Sequence, residues 1–148
     1  MLLGTRAEGE SQWIDAVMAA AAAEAMSGGF SEVETAHLLM GLSRVAQASS
    51  TLPAHVVGGL SAEFRSLGIA PQEFRRGLRR ILGHGGGGHD RGSIHRSAAC
   101  RAVFAEAQRR AAAEGAPAGL VHLFQASLAS LASVSKDHPA DFEVPEEL

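Results

Sequence analysis

The stretch AAAEAMSGGFSEVETAHLLMGL at residues 21–42 has a degenerate counterpart, AQRRAAAEGAPAGLVHLFQASL, at residues 107–128. In each, an alanine-rich run ends at glycine, a short linker follows, and an apolar run opens on His-Leu, at His37-Leu38 and His122-Leu123. The two histidines stand 85 positions apart, and the second linker is one residue shorter. A duplication constrains the fold more than any other feature of the chain. Each copy must form the same supersecondary unit, and the copies bury their apolar faces together. The spacing predicts two related helix pairs, near 11–47 and 97–133.

Apolar periodicity supports helices throughout. Trp13, Ile14, Val17, Met18, Ala21 and Ala25 share one face of a helix that Ser11 would cap and Gly28-Gly29 would end. A second helix begins near Thr35, which is preferred as its cap over a Ser31/Glu34 capping box, and buries Leu38, Leu39, Leu42, Val45 and Ala46. A third is expected over 53–67, weakened by Gly58-Gly59, and a fourth from Pro71 to a stop at Gly83, with Phe74, Leu78, Ile81 and Leu82 inward. Helices over about 97–114 and 119–133 complete the set, burying Val103, Phe104, Ala107 and Ala111, then Leu120, Leu123, Phe124, Leu128 and Leu131. No alternating pattern marks a strand, so the expectation is an all-α chain with no sheet. Its parts are an arm at 1–10, repeat one at about 11–82, a Gly-rich linker at 83–92, repeat two at about 93–133, and an acidic tail or linker at 134–148.

Composition removes several function classes. Tyr is absent and aromatics reach only 5 %, too few for stacking platforms on single-stranded nucleic acid or sugars. Cys100 stands alone, which excludes an internal disulfide and a CxxC site and fits a reduced, cytoplasmic setting. No run approaches the ~20 apolar residues of a membrane span, and Glu8 and Glu10 argue against a secretory leader. The sole Lys, Lys136, follows no glycine loop, so a P-loop is missing and no nucleotide or other cofactor is expected.

The quoted duplication resembles the N-terminal domain of Clp-type AAA+ unfoldases. That family is all-α and built of two similar helical repeats, each marked by a pattern like I-G-T-E-H-L-L-L-A-L. Residues 33–42 read V-E-T-A-H-L-L-M-G-L, with Thr35, His37, Leu38 and Leu39 in place, and residues 60–74 resemble the family's helix–LGV–DPE–helix connection. The copy at His122 and Leu123 matches less fully. The resemblance spans about 11–133. It implies two pseudo-twofold-related repeats forming a non-catalytic module. Such a module recruits adaptors or unfolded polypeptides to a Clp-type ATPase, in cis or in trans, for chaperone work and proteolysis. Relatives that read phosphorylated arginine use an acidic residue before each His. Here those positions are Ala36 and Val121, so that activity is not carried over, although Glu32 or Glu34 could supply a carboxylate. The family's second repeat usually continues into another helix pair. This chain has an acidic stretch there instead, as a shortened version or as a piece cut before the ATPase.

Among individual sites, His84, His89, Asp90 and His95 form the ligand-like cluster, but a glycine loop preorganises nothing and a solvated loop is the expectation. His37 and His122, each beside core leucines, read as buried imidazoles bonded to backbone or to a neighbouring loop. Leu2, Leu3 and Phe30 are apolar residues that helical burial does not use, and so are candidate partner contacts. Residues 65–110 carry 10 Arg against 3 acids, while both flanks are acidic. Arg75, Arg76, Arg79 and Arg80 lie opposite the apolar face of the fourth helix and form a basic stripe. A small nucleic-acid-binding regulator is therefore the alternative reading, though nucleic acid is not the expected partner.

Overall fold

The structure is a computed structural model that describes residues 8–48, 54–83, 85 and 94–137. Six helices occur among them: α1 (Glu8–Ser27), α2 (Thr35–Gln47), α3 (Ala54–Leu67), α4 (Pro71–Leu82), α5 (Ala98–Ala113) and α6 (Leu120–Asp137). The architecture is mostly helical, as expected. The expectation of no sheet is corrected by two short strands, β1 (Glu32–Val33) and β2 (His95–Arg96), paired in parallel as Glu32 with His95 and Val33 with Arg96. Two residues are too few to leave an alternating signature.

Helix α2 is the axis of the core and touches all five other helices. Every residue from Thr35 to Ser43 is buried, as are Val45 and Ala46. Gly41 explains how α1 approaches so closely. A Cβ there would stand 2.5 Å from the Val17 carbonyl oxygen, so only glycine fits. Val17, Ala21 and Ala25 of α1 are fully buried against it, with Trp13, Ile14 and Met18 half-buried at the margin. Phe64 of α3, Phe74 of α4 and Phe124 of α6 meet at ring-centroid distances of 4.8–6.2 Å. Each buried Phe contributes about 1.5–3 kcal/mol, so this cluster is where the three helices are welded.

Helix boundaries follow the chemistry with four revisions. α1 begins at Glu8, ahead of Ser11. α3 runs through Gly58-Gly59 unbroken, and Gly59 faces Val121 of α6, whose Cγ2 would stand 2.7 Å from an added Cβ. α6 extends to Asp137, four residues beyond expectation. Thr35 is the first residue of α2 rather than its cap, a role that Glu34 takes, and the buried Thr35 hydroxyl has no partner.

Gly85 and the later strand β2 both meet the α1–α2 connection. Gly85 donates its N–H to the Gly28 carbonyl at 2.9 Å, and a Cβ on Gly85 would collide with the Gly29 backbone. On the far side β2 pairs with β1, and the Ser97 N–H reaches the Val33 carbonyl at 2.9 Å before the Ser97 hydroxyl caps α5 at Cys100 N.

Candidate functional site

The two halves repeat one local hydrogen-bond signature. At the end of α1, Gly29 has φ 78°, its N–H reaches Met26 O at 3.1 Å, and Phe30 N reaches back to Ala25 O at 2.9 Å. At the end of α5, Gly115 has φ 70°, its N–H reaches Ala112 O at 3.0 Å, and Ala116 N reaches Ala111 O at 3.0 Å. Both are the six-to-one closure of a glycine-terminated helix. The next helix then opens the same way twice: His37 Nδ1 accepts the Glu34 N–H at 2.9 Å, and His122 Nδ1 accepts the Gly119 N–H at 3.0 Å. Each imidazole sits at the third helical position and satisfies a backbone N–H that the helix leaves open. Both histidines bond backbone as expected, but only His37 is the buried imidazole that was expected, His122 being half-buried.

The two differ in surroundings. His37 is 1 % exposed, and burial holds it down at about 4, against an opposing pull from the Glu24 charge. It is therefore neutral near pH 7, and with Nδ1 accepting, its proton sits on Nε2. Phe30 packs edge-on against it at 4.7 Å. Phe30 is thus half-buried on the core margin, which qualifies its reading as a free contact residue. His122 is also bonded through Nε2 to Glu114 at 2.8 Å.

Between the end of α1, the start of α2 and the end of α4 lies a cleft of about 370 Å³, within the roughly 300–1,000 Å³ range of ligand sites. Buried His37 and Met40 and half-buried Phe30 and Leu82 line it, together with the exposed Arg76, Arg79 and Arg80. Glu24 is the acid in its wall. Its Oε2 accepts Arg44 Nη2 and Arg79 Nη2, both at 2.7 Å. Burial pushes this carboxyl up, but the bonds and charges of Arg79 and Arg44 outweigh burial and hold it below its ordinary value.

The expected stripe of four arginines is corrected here. Arg75 is 6 % exposed and points into the protein, donating to Ser43 Oγ at 3.1 Å and Gln47 Oε1 at 2.6 Å. At roughly 100° per residue it lies beside Leu82 on the flank of the apolar face, not opposite it. Burial lowers its pKa, and the Arg44 and Arg79 charges lower it further. Arg79 is committed to Glu24, leaving Arg76 and Arg80 as the exposed α4 guanidiniums without an ion pair among the described residues.

Leu2, Leu3, His84, His89 and Asp90 lie outside the described residues. His95 is exposed on β2 beside Glu32, which is also exposed, and Glu34 is half-buried at the α2 cap. Among the described residues no three His, Cys, Asp or Glu side chains gather as a metal site, and no helix is long and apolar enough to cross a membrane. Cys100 is fully buried, and burial pushes its thiol up to about 11, the opposite of an activated nucleophile. A second cleft of about 370 Å³ lies by Phe64, Ile69 and Pro71, with the unpartnered Ser61 hydroxyl in its wall. Glu24, the residue that organises the basic cleft, was missed from sequence. The available signal was its register, seven residues after Val17 and three after Ala21, on the buried stripe of α1. No protein-family model matches the chain, and no curated protein matches it.

Proposed function

We propose that this chain is a non-catalytic protein-interaction module of the Clp N-terminal-domain type. It recruits an adaptor or unfolded polypeptide to a Clp-type unfoldase carried in cis or met in trans. The supporting observation is the repeated signature: a positive-φ glycine closing one helix, followed by a histidine whose Nδ1 caps the next, at Gly29/His37 and again at Gly115/His122. On this reading the pairs α1–α2 and α5–α6 are two copies of one unit related by a pseudo-twofold, and clefts between helices receive apolar side chains of a partner segment.

The nucleic-acid alternative has less behind it. Of the four arginines of the expected stripe, one is buried and one is paired with Glu24. Arg76 and Arg80 remain exposed on α4, and the exposed Arg65, Arg101 and Arg109 of the same 65–110 block lie on α3 and α5, so the block is not the single helical stripe that the sequence suggested. The test is fluorescence anisotropy of a permanently unfolded polypeptide of near-zero net charge titrated with the chain. Saturable binding that a folded protein of the same size does not compete for is the expected result. No binding at concentrations of hundreds of micromolar contradicts the proposal.

A further inference from the structure

Glu24 is the acid of an arginine-rich junction between α1, α2 and α4. Arg44 and Arg79 share Glu24, and Arg75 is buried on neutral acceptors with Glu24 as the acid that acts on it through space. Arg76 and Arg80 are exposed at the cleft with no acidic partner among the described residues. Glu73, one turn before Arg76, makes no ion pair with it. The cleft wall itself carries three arginines against Glu24. Part of this charge answers the partial negative end of α4, whose last turn holds Arg79 and Arg80. A half charge does not offset both guanidiniums, and Glu24 is already spent on Arg79 and Arg44. Behind the arginines the cleft is apolar, with Phe30, Met40 and Leu82.

We propose that this cleft docks an acidic peptide segment of a partner protein. Carboxylates of the segment would pair with Arg76 and Arg80, and one large apolar side chain would enter against Phe30, Met40 and Leu82. The chemistry is charge complementarity around an apolar anchor. Guanidiniums bind carboxylates in a fork geometry, and they are desolvated more easily than ammonium groups. The cleft chemistry stands on its own residues; only identifying that partner protein with an adaptor rests on the module proposal.

The experiment titrates the full 148-residue chain into three labelled peptides, Glu-Glu-Phe-Glu-Glu, Glu-Glu-Ser-Glu-Glu and Lys-Lys-Phe-Lys-Lys, and into a random DNA duplex. The acidic Phe peptide should bind saturably at one site, at least tenfold more tightly than the Ser peptide. The basic peptide should not bind. Arg76→Ser with Arg80→Ser should weaken the acidic peptide at least tenfold, while Arg65→Ser on α3 leaves it unchanged. Both target side chains are exposed and make no ion pair among the described residues, so the double variant should stay folded, with at most the small loss of Arg80 at the α4 end. Equal binding to the wild type and the double variant overturns the proposal, as does equal binding of the Ser and Phe peptides. DNA binding tighter than the acidic peptide and lost in the double variant overturns it in favour of nucleic acid. A neutral unfolded polypeptide is run alongside to separate this proposal from the broader one. Its binding without that of the acidic peptide sinks the cleft assignment alone, and the reverse result leaves the cleft assignment standing and removes unfolded polypeptide as the module's ligand.

Discussion

Arg79 on α4 grips Glu24 on α1 with one edge of its guanidinium, Nη2 to Oε2 at 2.7 Å and Nε to Oε1 at 3.2 Å, across 55 positions of sequence. The Arg79 side chain is 48 % exposed and that of Glu24 only 10 % exposed, so the pair is screened on one side and sheltered on the other. A double-mutant cycle with Glu24→Gln and Arg79→Gln, read by urea unfolding, should give a coupling of about 0.5–1 kcal/mol, the scale of partly exposed pairs. A coupling indistinguishable from zero would mean that the two helices are not fastened here.

Two glycines in helices should respond oppositely to alanine. Gly77→Ala meets nothing nearer than the end of Arg80 at 4.0 Å and should stabilise by about 0.5–1 kcal/mol through helix propensity. Gly41→Ala drives a methyl into the α1 backbone and should destabilise by about 1–3 kcal/mol despite the same propensity gain. Thermal and urea unfolding of the two variants decide it, and stabilisation by Gly41→Ala would refute the close α1–α2 contact.

Stability should fall in mild acid because of His37. Burial lowers its pKa to about 4 in the folded chain, against 6.5 when unfolded. Between those values the unfolded chain holds the extra proton, so this contribution is complete above pH 6.5 and is lost as pH falls toward 4. The full shift corresponds to about 3 kcal/mol. His37→Gln keeps an acceptor for the helix cap while removing the titration. Urea midpoints at pH 7, 5.5 and 4.5 should converge between wild type and variant as the pH drops. Parallel profiles would show that another group carries the acid response. The Glu24 carboxyl, held below its ordinary 4.5, acts only lower still.

The duplication makes a geometric prediction. Crystallography of the chain should superpose α1–α2 on α5–α6 with Gly29 on Gly115 and His37 on His122. Helix pairs whose crossing geometries disagree would show that the shared hydrogen bonds are convergent local caps.

What was legible from sequence was what lies within one helix or one turn. The α2 face, the Pro71 start, the Gly83 stop and the paired His-Leu openings all follow from local periodicity and capping, and the structure agrees with them. What escaped depends on partners far along the chain. Arg75 turns inward because Ser43 and Gln47, about thirty residues earlier, present acceptors. Glu24 is an acid on an apolar stripe whose meaning appears only once Arg44 and Arg79 are beside it. The β1–β2 ladder brings together residues 63 apart, and no short-range pattern announces it.

The central claim is that this chain binds protein through its clefts rather than nucleic acid through charge, and the two modes differ in salt response. Apolar burial is little changed by salt. A duplex site neutralising about six phosphates loses about a thousandfold in affinity between 50 and 200 mM salt. The direct measurement is a paired titration, at both salt concentrations, of a neutral unfolded polypeptide and of a random DNA duplex. The account predicts saturable polypeptide binding that changes less than about threefold with salt and persists when Arg76 and Arg80 are replaced by Ser, with no comparable binding of DNA. Binding of DNA alone, collapsing with salt and abolished by the same two replacements, would contradict it.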